Sequence, residues 1–375
     1  MSGTLVIALY VVAILVIVLI HEAAHFGAAK AFGIKVEEFF VGFGPRLWSF
    51  RRGETEYGLK ALPLGGYVRI AGMNPFQEPT PEELPRTFGS KPAWQRAVVI
   101  AAGPFTHFVL AFLTFFLWLT LLGLPSRFSP VVGAVETTLN GRPSPAAVAG
   151  LRAGDEIVAV DEIQDPGDDQ LVTYTREHVG EPVRLGVKRG DRTFTVSVTP
   201  VLAEVEGERV GRIGVRLTAG RVLERDRSGP IAGISEAGSL FGQHVWGVLR
   251  GFGQVFDVGR VFELLFGGEE RTIEDPASVV GGGRIAVQAA QEGAVDVLFE
   301  IFAAFNVFVG LLNLLPIPPF DGGHLAVIGV EKVTRRKVDA RRLVPITAAV
   351  AFFLILYMGS LILLDITKPL PNLFR

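Results

Sequence analysis

The chain has no cysteine among its 375 residues, which excludes disulfides and thiolate metal sites and leaves His, Asp and Glu as possible metal ligands. Nor does it carry a surplus of positive charge. Its 36 Lys and Arg face 38 Asp and Glu, a net of −2, which argues against nucleic acid as the main partner. The start of the chain lacks a basic n-region and a small-residue cleavage site, so residues 3–32 read as a retained membrane span. Repeats and long low-complexity tracts are missing as well.

Apolar sequence, by contrast, is abundant: 49% of the residues are hydrophobic and the mean hydropathy is +0.40. Four stretches are apolar enough to cross a bilayer, at about 5–31, 97–124, 297–315 and 344–364. Basic residues gather between the first and second of these, from Lys30 to Arg96, and between the third and fourth, from Lys332 to Arg342. Both connections therefore belong in the cytoplasm, with the N-terminus and residues 125–296 outside.

No charged residue occurs from Gly3 to Ile20, and then His21, Glu22 and His25 follow in quick succession. Residues four apart on a helix share a face, so His21 and His25 can offer ring nitrogens to one metal ion. Glu22 lies about 100° around the helix from His21, able to reach a metal-bound water without being a ligand. A polar turn closing a buried helix would give the same letters. Ionisable groups at membrane depth are costly, however, and by default functional, which favours the metal site.

The first and third spans run in the same direction, so a third ligand is expected at the cytoplasmic end of the third. Prolines 316, 318 and 319 stop the helix there, and Gly322 and Gly323 permit a tight turn. Asp321 and His324 compete for the role. Asp321 is the stronger candidate, with an N-cap of the following helix as its alternative; His324 could brace a ligand or be an ordinary polar residue.

Elsewhere, residues 55–62 and 67–71 flank the turn cluster Pro63, Leu64, Gly65, Gly66 and read as a β-hairpin. From 129 to 218 the pattern changes to short β-like runs at 131–135, 153–160 and 192–198, with a short helix at 144–151. The string AGLRAGDEIVAVD resembles a PDZ domain, a fold that binds extended peptide ends by strand addition. Residues 240–266 suit an amphipathic helix at the outer interface, with His244 on its polar face, and His178 reads as an exposed residue of the PDZ-like domain.

HEAAH in the first span, LNLLPIPPFDGG after the third and a PDZ-like insert between them resemble the site-2 protease family, in particular its bacterial RseP-like branch. Residues 41–73 resemble that branch too. The resemblance implies a zinc-dependent intramembrane endopeptidase with one Zn2+ held by His21, His25 and Asp321, and Glu22 as general base. It implies that Asn313 engages substrate and that the hairpin carrying Gly65 and Gly66 dips toward the membrane and holds an extended substrate. One position departs from the branch's pattern: Gly-Pro-x-x-Asn in the second span is here Gly103, Pro104, Phe105, Thr106, His107. His107 could be a substrate contact, a helix–helix hydrogen bond or a rival ligand.

The expected fold class is a polytopic α-helical membrane protein with four transmembrane helices, a cytoplasmic-side β-hairpin and an extracytoplasmic PDZ-like α+β domain. The expected divisions are the first helix at 1–33, a cytoplasmic-side loop with the hairpin at 34–95, and the second helix at 96–124. Then follow the PDZ-like domain at 128–218, a linker with the amphipathic helix at 219–292, and the third helix with the DGG turn at 293–325. A basic loop at 326–343 and the fourth helix at 344–366 complete the chain. Expected partners are the lipid bilayer and single-pass membrane proteins, anti-sigma factors or remnant signal peptides, already cut outside the membrane. The expected location is the inner (plasma) membrane with the active site toward the cytoplasm. Two rivals remain at this level, a metal-binding membrane transporter or sensor and a non-catalytic PDZ adaptor.

Overall fold

The computed structural model describes residues 2–74, 76–77, 79–205 and 208–373. Among them, four helices are long and apolar enough to cross a membrane: Gly3–Ala31, Ala93–Leu122, Val295–Asn313 and Ala340–Thr367. The chain divides into two compact units, one made of residues 1–117 and 234–375, the other of residues 118–233.

In the first unit, helix α1 (Gly3–Ala31) starts at Ser2, whose hydroxyl accepts the Leu5 amide. Most of its apolar side chains face outward, Leu5 and Val12 being about half exposed. Apart from Val6, its buried residues Ile17, His21, His25 and Ala29 are spaced by four and form one stripe. The two histidines therefore lie on the face that α1 turns into the protein. Strands β1 (Val36–Arg52) and β2 (Thr55–Ile70) follow, then α2 (Ala93–Leu117), whose last turn widens into a π-helical segment at Trp118–Leu122.

The hairpin differs from the expected one. Its reversal lies at Gly53 and Glu54, and residues 63–66 fall inside β2. Glu38, Phe39, Phe40 and Val41 each have two partners in β2, one in 56–59 and one in 66–69. Both long strands bend, so the first half of β1 lies between the two segments that the sequence suggested were paired with each other. The positive φ of Gly42 and Gly44 lets β1 make its bend.

The second unit is α+β. Its elements are β3 (Leu124–Val135), β4 (Thr138–Leu139), β5 (Arg142–Pro143), α3 (Pro145–Val148), β6 (Glu156–Val160) and β7 (Ile163–Gln164). They continue as α4 (Asp168–Glu177), β8 (Val183–Arg189), β9 (Arg192–Val198), β10 (Val201–Val205), β11 (Glu208–Arg212) and β12 (Val215–Asp226). The main sheet runs β12-β3-β6-β8-β9, with β7 beside β6. Val132, Ile157, Leu185 and Val187, alternating inward positions of strands buried on one face, fill its core together with Leu171 of α4. Strand β12 runs well past Thr218, into the stretch expected to be linker.

Beyond it, residues 240–266 are two helices rather than one: α5 (Pro230–Val255) and α6 (Val258–Phe266), separated where Asp257 caps the second. His244 is not on a free polar face; its ring packs 4.6 Å from that of Phe115. The expected linker also contains α7 (Val279–Gln291), whose buried Gly281, Gly283, Ala286 and Ala289 let it pack closely. Helices α8 (Val295–Asn313), α9 (Asp321–Thr334) and α10 (Val344–Thr367) complete the fold.

Candidate metal centre

Helix α1 brings His21 and His25 to the protein interior one turn apart, and the imidazole Nε2 atoms lie 3.1 Å from each other. Asp321 arrives from the far end of the sequence as the first residue of α9, after the proline-rich loop that follows α8. Its Oδ2 is 3.3 Å from His21 Nε2 and 3.3 Å from His25 Nε2. That oxygen is buried and has no hydrogen-bond donor. A carboxylate oxygen hidden from water without a donor is costly unless a cation satisfies it. Tetrahedral zinc with bonds of about 2.0–2.1 Å holds its ligand atoms roughly 3.3–3.4 Å apart, so the triangle has the size of one face of that tetrahedron. The donor set fits zinc.

Asp321 is brought there by packing on both sides. A Cβ at Gly322 would come within 2.3 Å of the Leu314 and Leu315 carbonyl oxygens, and one at Gly323 within 2.5 Å of Pro318 N. The two glycines are helical residues against which the loop backbone is pressed, and this close approach, rather than a turn, explains them. Farther along α9, Glu331 meets Arg96 of α2 at 2.7 Å, with both side chains 9% exposed. Glu331 also accepts the Val338 amide at 2.9 Å, and its carboxyl is held below the usual range. Burial opposes that shift, and the backbone and Arg96 bonds outweigh it.

Glu22 faces the β2 edge: a Cβ on Gly66 would lie 3.3 Å from Glu22 Cγ. A cavity of about 250 Å³ is lined by the two histidines, Glu22, Asp321 and, from the surrounding elements, Tyr67, Val68 and Asn313. His324 lines it as well but is not in the group of three, His21, His25 and Asp321, that could hold a metal ion. Asn313 is thus beside the site, and Gly66 is against Glu22. Gly65 is its neighbour in β2, against the Phe43 ring.

Two positions escaped the sequence reading. Gly103 of α2 passes so close to the site that a Cβ there would sit 2.2 Å from His25 Nε2 and 2.7 Å from His21 Cε1. The signal was a glycine next to a proline within a span, which reads as a kink. Asn306 of α8, fully buried, was the other, and its sign was a lone amide in apolar sequence. His107, left open between three roles, stands behind His21: its Nε2 is 3.1 Å from His21 Nδ1, the ring atom that points away from Asp321.

The pattern of peptidase family M50 matches residues 9–358. The zinc metalloprotease Rip1 of Mycolicibacterium smegmatis is 34% identical over 400 residues, covering 97% of this chain and 98% of that one. The metalloprotease MmpA of Caulobacter vibrioides is 33% identical, covering 87% of this chain and 86% of its own. Among solved structures, the PDZ domain of an SdrC-like protein from Listeria monocytogenes matches 25% of this chain and 90% of that domain, with 23% identity and a TM-score of 0.21.

Proposed function

The chain belongs to peptidase family M50, the site-2 proteases, and from that membership we propose how its residues cut a peptide bond at membrane depth. It is a zinc metalloprotease with membrane-crossing helices, and its substrates are membrane proteins. In our reading His21, His25 and Asp321 hold the metal and Glu22 is the general base. The observation that carries this is the meeting of two imidazole nitrogens from the start of the sequence with a carboxylate oxygen from its far end that lacks a donor.

Zinc, when bound, polarises the scissile carbonyl and acidifies the attacking water. Glu22 takes the water's proton and passes it to the leaving amine nitrogen. Because Glu22 leans on β2, the scissile bond is to be presented from that side. A helical substrate hides its carbonyls in its own hydrogen bonds, so it must be drawn out into an extended form first. Residues 66–70 pair with β1 on one side, and among the described residues no strand covers the other. That edge, with Gly65 and Gly66, is the proposed holder of the extended segment, and Asn313 contacts it from across the cavity.

The PDZ-like reading of the second unit makes it a filter for single-pass proteins already shortened outside the membrane, such as anti-sigma factors or remnant signal peptides. The basic connections support a reading in which the active site faces the cytoplasm of an inner (plasma) membrane. Co-expression with a membrane-anchored substrate tests the chemistry. Glu22→Gln is expected to slow cleavage about 10²–10⁴-fold, and a variant as fast as the parent overturns the assignment.

A further inference from the structure

Two polar side chains, His107 of α2 and Asn306 of α8, run back from His21 of α1 as a hydrogen-bonded chain. Asn306 donates its Nδ2–H to the Phe302 carbonyl at 2.8 Å. Its nitrogen is committed there, so Oδ1 is the atom that accepts. Oδ1 lies 3.1 Å from His107 Nδ1, which must therefore carry the ring proton. His107 Nε2 is then a bare acceptor, 3.1 Å from His21 Nδ1, and His21 must donate to it. That leaves the His21 lone pair on Nε2, the atom beside Asp321 Oδ2. His25 reaches the same state more simply, by donating Nδ1–H to the Val99 carbonyl at 2.8 Å.

The junction is tight as well as polar. Asn306 is fully buried and His107 is 2% exposed. A Cβ at Gly310 would come within 3.2 Å of His107 Cβ and 2.9 Å of the Phe108 ring, so α2 and α8 meet closely at this level.

We propose that Asn306 and His107 are positioning residues of the metal centre: together they hold His21 in its Nδ1–H tautomer and fix its ring plane, so that Nε2 is presented to the ion. The two histidines of the motif are then oriented by different means. A backbone carbonyl serves His25; a two-residue relay across helices serves His21. Partners of this kind are worth about 10–100-fold in metal affinity. The inference rests on His21 being a ligand.

The test uses the full chain in detergent, in a Glu22→Gln background so that no turnover is needed, with zinc affinity read by competition against a chromophoric chelator. His107→Leu and Asn306→Leu should each weaken zinc about 10–100-fold while one ion still binds at saturation. His107→Gln, which keeps one acceptor and one donor, should recover most of that loss. Zinc held as tightly by His107→Leu as by the parent overturns the relay, as does a His107→Gln variant no better than His107→Leu at equal thermal stability. Independently of whether these variants fold, ¹⁵N-histidine NMR of the metal-free parent reads the tautomer. A proton on His21 Nδ1 is expected, and one on Nε2 overturns the proposal. His21→Ala is the control. If it binds zinc like the parent, the ligand assignment fails, which is a separate result from failure of the relay.

Discussion

Two aspartates, one in each unit, carry buried carboxylate oxygens in opposite ways. Asp155 of the β-rich unit is wholly enclosed, and both its oxygens meet donors. Arg189 supplies N–H groups at 2.6 and 2.7 Å, and the Arg152 amide a third at 2.8 Å. Asp321 of the helical unit has a buried oxygen that meets two imidazole nitrogens at 3.3 Å and no donor. The first carboxylate has its counter-charge built into the fold, and the second, in the proposed function, takes one from outside the chain. Burial alone does not mark a ligand. Burial without a donor, at an oxygen that two imidazole nitrogens also face, is what singles out Asp321 as the proposed ligand.

Substituting each aspartate in turn puts the comparison at risk. Asp321→Ala should abolish zinc binding and reduce cleavage to background, while the metal-free chain unfolds at the parent's temperature or above. Asp155→Ala should keep its zinc and instead cost about 1–3 kcal/mol, the penalty for leaving donors unpaired next to a partly exposed Arg189. Zinc content and thermal midpoint, measured on both variants, decide the matter; an exchange of the two outcomes breaks the distinction.

Gly103→Ala asks whether the metal triangle tolerates a single methyl. Its Cβ would stand 2.2 Å from His25 Nε2, so α2 must move away or His25 must turn. A drop in zinc affinity of at least about tenfold is expected, in a chain whose second unit keeps its amide protection. Unchanged affinity would mean that α2 is not pressed against the site.

The smallest effect is a pH dependence confined to Asp155. Hydrogen bonding to Arg189 holds its carboxyl below the usual carboxylate range. A pKa lowered by folding contributes stability that is complete above the unfolded value of about 3.9 and is lost as pH falls through the folded value. Amide protection of β6, corrected for intrinsic exchange, should therefore weaken on acidification below about pH 4. Asp155→Asn should flatten that dependence. An equally steep slope in the variant would assign it to another group.

The three residues that the fold brings together, His21, His25 and Asp321, could be picked from the sequence because each choice rests on short-range logic. The four-residue spacing of His21 and His25 works on any helix, and Asp321 stands out as a carboxylate beside a long apolar span. The hairpin was misread because a Pro-Leu-Gly-Gly run looks like a reversal wherever it occurs. Only long-range pairing shows that residues 36–41 enter between the two flanking segments and turn that run into a bend within one strand. Gly103 and Asn306 were hidden for a related reason. Their roles depend on what a different helix brings against them, and a glycine or an amide in a span has many uses. For α7 the obstacle was composition. Its buried face is glycine and alanine, which gives little apolar periodicity to read even though the helix packs well.

The central claim is that one zinc ion bridges the opening helix and α9. Anomalous diffraction at the zinc edge on crystals of the Glu22→Gln variant tests it most directly. A single peak within about 2.0–2.2 Å of His21 Nε2, His25 Nε2 and an Asp321 oxygen is the predicted result. A peak bonded to His107 or His324 with Asp321 remote from it would contradict the account.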